Sequence, residues 1–105
     1  MATALTPVKG DFNKITKVEM TAGTAFEFTM PKSTDEYIVI LVQATGSGTV
    51  KVKAPEKGSY AAAKSDLELA VASGDIAQIR IESARYASNK GLVKVEAPGK
   101  VAVIY

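Results

Sequence analysis

The chain has 105 residues, which is enough for one domain with a single hydrophobic core. It contains no cysteine, histidine or tryptophan, which excludes disulfides, thiolate nucleophiles and imidazole proton transfer. Thirteen Lys and Arg against eleven Asp and Glu give a formal net charge of +2. The lysines are scattered singly, whereas nucleic-acid-binding proteins concentrate basic residues on one face, so we expect no nucleic-acid partner.

An N-terminal arm is predicted at residues 1–12, ahead of a single domain at 13–105. Pro7 and Gly10 interrupt regular structure in this arm. Its apolar side chains would suit contact with a neighbouring subunit, and a frayed terminus is the alternative interpretation. The residues expected at such an interface are Leu5, Pro7, Val8 and Phe12.

Alternation of apolar and polar residues with a period of two predicts strands along most of the domain. Phe26, Phe28 and Met30 are expected on one face of a strand, and Glu27 on the other. The same pattern predicts further strands near residues 15–20, 50–53, 67–71, 76–82, 92–96 and 101–105.

Residues 37–42 form an apolar run without alternation, which is typical of a strand buried on both faces. We expect a central strand there, with its outer face covered by a loop, by the arm or by another subunit. The chain has no apolar stretch long enough to span a bilayer and no signal-peptide pattern, so we expect a protein made in the cytoplasm with no membrane partner.

Glycine and proline mark turns between the predicted strands. The fold class is therefore predicted as all-β, with about eight strands in an antiparallel β-sandwich of jelly-roll or Ig-like type. The alanine-rich residues 59–66 are interpreted as a loop with a single helical turn. The predicted turns lie at residues 22–24, 31–36, 46–48, 55–58, 73–75, 89–91 and 98–99.

Catalytic chemistry finds no support in the sequence. Gly46-Ser47-Gly48 lacks the Lys and Ser/Thr of a phosphate-binding loop and is interpreted as a hairpin connection. A pair of carboxylates could serve a glycosidase, but three Phe, four Tyr and no Trp make a poor sugar platform. We therefore predict a non-enzymatic protein with no catalytic residues, cofactor, metal site or small-molecule substrate.

Residues 83–86 (Ser-Ala-Arg-Tyr) follow the predicted strand at 76–82 and allow two interpretations. Arg85 and Tyr86 are residue types that form strong contacts in buried interfaces. Alternatively, the segment is a corner in which Tyr86 packs on the core. Both residues are kept as candidate interface residues.

The C-terminal third carries a recognisable pattern. It begins with Ala72-Ser73-Gly74-Asp75-Ile76 and continues through Glu82-Ser83-Ala84-Arg85-Tyr86 to the turn Asn89-Lys90-Gly91. The strand Leu92-Val93-Lys94-Val95 follows, and after Gly99 the chain closes with Val101-Ala102-Val103-Ile104. This pattern resembles small head-associated, capsid-decoration-like proteins of tailed bacteriophages and prophages, and the opening residues 1–7 also look similar to the starts of such proteins.

The resemblance implies a phage structural protein that binds the outer capsid surface, stabilises it and resides in the virion. Its partner would be the major capsid protein, and a homo-oligomer, with a trimer favoured, is expected. Two alternatives remain open: a tail or head-tail connector component, and a carbohydrate- or cell-surface-binding β-sandwich module. The second alternative predicts an exposed aromatic patch drawn from Tyr37, Tyr60 and Tyr86.

Overall fold

The computed structural model describes residues 2–10, 13–15, 17–30, 38–55, 62–88 and 91–105. Within these residues the fold is all-β, as predicted, and seven strands form one mixed sheet. The elements are β1 (Thr3–Ala4), β2 (Thr21–Thr29), β3 (Ile38–Ala44), β4 (Gly48–Val52), β5 (Leu67–Val71), β6 (Ile76–Ile81), the helical turn α1 (Ser83–Tyr86) and β7 (Leu92–Ile104).

The long strand β7 is the centre of the sheet. On one side it pairs antiparallel with β2, from Leu92 opposite Thr29 to Val101 opposite Thr21. On its other side it pairs first with β4, at residues 95–96, and then with β3, at 99–104. β5 pairs with the other side of β4, and β6 pairs with the other side of β3. Two short arrays of strands, β4–β5 and β3–β6, therefore extend from β7 on this side.

Gly99 lies at the junction between the two halves of β7. It stands opposite Gly23 of β2 and Ala44 of β3. A Cβ at this position would lie 2.8 Å from the Thr45 nitrogen and closer still to the carbonyl oxygen of Gln43. These are backbone atoms of β3 and of the residue that follows it, held by strand pairing, so only glycine allows β3 to approach β7 this closely here.

Side chains from the strands on both sides of β7 form one hydrophobic core. Phe26 and Phe28 of β2 are buried, which confirms the predicted inward face of that strand. Met30 is half-buried and packs against the same cluster. Burying one large apolar side chain contributes about 1.5–3 kcal/mol. The largest fully buried side chains are Phe26, Ile38, Ile40, Val42, Val50, Val52, Ile81, Val93, Val95, Val101 and Val103.

The apolar run lies in β3, which continues to Ala44 and is an inner strand between β6 and β7. Ile38, Ile40 and Val42 are buried in the core. Leu41, on the opposite face, is half-buried and lies opposite Ala102 of β7, of which only 4% is exposed. The outer face of this strand is therefore partly covered, and residue 37 lies outside the described residues.

Three local predictions are wrong. The described residues of 15–20 form no strand, and Ile15 is fully exposed. Residues 22–24 lie inside β2, where the register shifts between Gly23 and Ala25, and 98–99 lie inside β7. In neither strand does the glycine make a turn: Gly23 leaves room for the Phe26 ring, and Gly99 allows the close approach of the β3 backbone. The two strands predicted at 92–96 and 101–105 are therefore one.

The remaining turn predictions are only partly covered by the structure. The turn at 73–75 is confirmed, and residues 45–47 form the connection between β3 and β4. Residues 62–66 are a loop, as predicted for 59–66. Residues 31–36, 56–61 and 89–90 lie outside the described residues.

We expect Gly99→Ala to lower the free energy of unfolding by at least about 2 kcal/mol, because the added Cβ meets the paired backbone of β3. Urea unfolding followed by circular dichroism would measure the loss. Gly46→Ala is the matched control, since a Cβ at Gly46 has no heavy atom of the described residues within 4 Å. Equal losses in the two variants would contradict the role assigned to Gly99.

Candidate interaction surfaces

The N-terminal arm begins as an additional strand on the edge of β2. β1 runs parallel to β2, with Thr3 opposite Phe26. The Leu5 N–H then donates to the Glu27 carbonyl oxygen at 2.8 Å, and the Leu5 side chain is half-buried against the core. This part of the arm therefore packs on its own chain.

After Leu5 the arm crosses to the end of β7. The Val8 N–H donates to the Val103 oxygen at 2.9 Å, and Tyr105 N–H donates to the Val8 oxygen at 3.0 Å. The Gly10 N–H donates to the Tyr105 oxygen at 2.8 Å. Because β2 pairs with β7 only as far as Val101, the arm occupies the edge of β7 that β2 leaves open.

The predicted arm interface thus maps to one edge of the sheet. Leu5, Pro7 and Val8 are all half-buried within the chain, so part of each side chain stays accessible. Phe12 lies outside the described residues. Contact of this edge with another subunit stays a prediction. The hydrogen bonds show a second role for the arm, which is to pair with β2 and β7 of its own chain.

Val8→Pro removes the donor to Val103, and we expect it to lower the free energy of unfolding by about 1 kcal/mol. Thermal melting by circular dichroism would detect this loss. Lys9→Pro is the matched control, because the exposed Lys9 donates no backbone hydrogen bond to another described residue. If both variants melt alike, the arm does not stabilise the sheet through Val8.

The helical turn α1 holds the other two predicted interface residues. The N–H groups of Arg85 and Tyr86 donate to the Glu82 oxygen at 3.1 and 3.4 Å, and the Arg85 oxygen accepts from Ala63 N–H at 2.8 Å. Tyr86 is half-buried and packs against the core, whereas Arg85 is exposed. The packing agrees with the corner interpretation of Tyr86 and leaves Arg85 available for contact.

Among the described residues, most of the exposed large apolar side chains lie on the two outer strands across β7 from β2. They are Leu67 and Leu69 of β5 and Ile76 of β6, at 40, 46 and 76% exposure, and Ile15 is the exception. Sequence alternation places Leu67 and Leu69 on the core face, and their pairing opposite Val52 and Val50 agrees. Their exposure follows from the outer position of β5, which a local pattern does not reveal.

A charged network covers the outer face of β4 and β5. The Lys51 ammonium lies 3.7 Å from the Glu68 carboxylate, and the Lys53 ammonium lies 3.1 Å from Asp66. Asp66 also accepts a hydrogen bond from the Ala54 N–H at 2.8 Å. The network fixes the loop before β5 to the end of β4.

These contacts shift the pKa values of Asp66 and Lys53. The backbone N–H of Ala54, followed by the Lys53 side chain, holds the pKa of Asp66 below its ordinary value. The hydrogen bond and charge of Asp66 raise the pKa of Lys53. A depressed carboxyl pKa means that the stabilisation is present above the unfolded-state pKa and is lost as the pH falls through the folded-state pKa.

We therefore expect Asp66→Asn to unfold at lower urea concentration than the parent chain at neutral pH, with the difference shrinking as the pH falls through the carboxyl range. Urea midpoints at a series of pH values would measure this. Glu19→Gln is the control, because it removes a carboxylate from an exposed ion pair with Lys17 at 3.2 Å. A difference that persists in acid would argue against the charge of Asp66 as the cause.

Among the described residues, no group of three or more Asp and Glu is arranged to hold a metal ion. Tyr37 and Tyr60 lie outside the described residues, so only Tyr86 of the predicted aromatic patch is placed. No described helix is long and apolar enough to cross a membrane.

Comparisons with protein-family models, with curated proteins and with solved structures found no match to this chain.

Proposed function

We propose that this chain is a non-enzymatic structural protein of a tailed bacteriophage, which binds the outer surface of the capsid and stabilises it. The observation that carries this proposal is the resemblance over residues 72–104. In the fold these residues make the turn at 72–75, the strand β6, the helical turn α1 and the central strand β7. The resembling segment therefore contains the strand that organises the sheet.

Residues of the resembling segment also have defined structural roles. In the turn after β5, the Asp75 carboxylate accepts from the Ala72 N–H at 2.8 Å, and Asp75 N–H donates to the Ala72 oxygen at 3.0 Å. Gly74 adopts a φ of 91°, which favours glycine. A chain with the same run of residues would be expected to support the same turn, so solved structures of capsid-decoration proteins could be searched for it.

We also propose the finer architecture expected from the sequence, a β-sandwich of jelly-roll or Ig-like type. Two features support it. Near Gly99 the partner of β7 changes from β4 to β3. Buried side chains from the strands on both sides of β7, such as Phe26 of β2 and Ile40 of β3, belong to one core cluster. Two halves of a sheet that share a core in this way would stack as the layers of a sandwich.

Capsid binding by this fold would need no chemistry, only a compact domain with an adhesive surface. On a shell that repeats the same protein many times, weak contacts to the major capsid protein are multiplied, so a modest affinity per copy suffices. The exposed Arg85 and the accessible parts of the arm are the surfaces we propose for this contact. The site of action would be the virion surface, after synthesis in the host cytoplasm.

The test is co-sedimentation of the purified chain with undecorated capsids of a tailed phage whose genome encodes it beside the major capsid protein. We expect saturable binding at a copy number comparable to that of the major capsid protein. Absence of binding would overturn the proposed role. A much smaller copy number, in particles that carry tails, would indicate the tail or connector alternative.

Arg85→Glu tests whether Arg85 is part of the proposed capsid contact. Because Arg85 is exposed, the charge reversal should weaken capsid binding without changing thermal stability. Arg80→Glu on β6 is the matched control, since it reverses the same charge at another exposed position. If the two variants bind capsids equally, Arg85 does not contribute to the contact.

A further inference from the structure

The outer strands of the sheet differ in how they end. On the β2 side, the arm adds β1 and then pairs with the end of β7. On the other side of β7 there are two outer strands: among the described residues β5 pairs only with β4 and β6 only with β3, and no described strand lies beyond either. β5 contains neither proline nor a bulge, two features that commonly protect an edge strand.

The direction of the backbone groups of β5 follows from the hydrogen bonds of β4. The Lys53 N–H of the extended chain after β4 donates to the Lys94 oxygen of β7 at 2.9 Å. In antiparallel pairing, successive residues direct their N–H and C=O groups to opposite sides of the strand. The backbone groups of Val52 therefore point to β5, where Leu67 stands opposite.

The same alternation along β5 directs the N–H and C=O groups of Glu68 and Ala70 away from β4, to the open edge. The side chains of Leu67 and Leu69 lie on the core face but remain 40 and 46% exposed. The edge thus offers unpaired backbone groups together with apolar side chains that would continue the core.

We propose that β5 pairs antiparallel with β5 of a second copy of this chain, about a two-fold axis that passes between the two Leu69 residues. Glu68 of each copy would then lie opposite Ala70 of the other and exchange backbone hydrogen bonds with it. The two Leu69 side chains would form a non-hydrogen-bonded pair, the closer of the two antiparallel pair types, with Cα atoms about 4.5 Å apart.

The charges favour this register. An axis at Glu68 would place two carboxylates directly opposite each other, which is unfavourable. With the axis at Leu69, each Glu68 faces an alanine and keeps its own partner Lys51, 3.7 Å away. The pattern Leu67-Glu68-Leu69-Ala70 is therefore complementary to itself in both packing and charge.

This contact is independent of the proposed capsid role. A two-fold contact uses the same patch on both copies and closes at two copies. The trimer implied by the resemblance would instead need a head-to-tail contact between two different surfaces. The mass in solution separates the two arrangements.

The decisive measurement uses the absence of native cysteine in the chain. Leu69→Cys would bring two thiols together at the axis, at a Cα separation within the range that disulfides accept. Mild oxidation should give a covalent dimer. Ile15→Cys and Ile76→Cys are controls, as both side chains are exposed apolar residues outside the contact. No preferential crosslinking at residue 69 would overturn the proposal.

Sedimentation equilibrium of the parent chain over a concentration series should give a mass that rises to two copies and stops. Ala70→Pro removes a donor that faces the open edge, and it should lower the association constant by about tenfold or more without breaking the β4 ladder. Gln78→Pro on β6 is the matched control, because the alternation on β6 directs its N–H outward as well. A mass of one or three copies at the highest soluble concentration, or equal effects of the two proline variants, would overturn the proposal.

Discussion

The sheet depends on the close approach of β3 to β7 at Gly99. β7 can serve as a common neighbour of β2, β3 and β4 only if it changes partners part-way along its length, and the change occurs where Gly99 stands opposite both Gly23 and Ala44. The register shift in β2 and the connection at residues 45–47 lie beside the same point. A side chain there would separate strands whose pairing fixes the positions of Phe26, Ile40 and the rest of the core.

The arm and the β5 edge give the chain two different surfaces. The arm pairs with β2 and with the end of β7 and leaves parts of the Pro7 and Val8 side chains accessible. The β5 edge offers backbone groups as well as Leu67 and Leu69. A surface of the first kind suits adhesion by shape and charge, whereas a surface of the second kind selects an extended strand as its partner.

Sequence reasoning succeeded where a local pattern determines the result. Alternation places Phe26 and Phe28 inward because successive side chains leave opposite faces of a strand, and the structure agrees. It failed at Gly23 and Gly99, because a glycine suits a turn and a crowded position inside a strand alike, and only the strand pairing distinguishes them. The exposure of Leu67 and Leu69 could not be predicted either, since it depends on which strand lies outermost. The residues proposed for capsid contact follow from residue type and exposure, and only the resemblance points to a capsid as their partner.

The position of β7 as the last strand along the chain has a consequence for folding kinetics. β2, β3 and β4 have no common neighbour until residues 92–104 join them, and the pairing of β2 with β7 closes a loop of most of the chain. The entropy lost in closing such loops comes before the contacts that compensate it, and domains dominated by distant pairings fold in milliseconds to seconds rather than microseconds. We therefore expect β2, β3 and β4 to stay partly exposed during folding until β7 pairs with them.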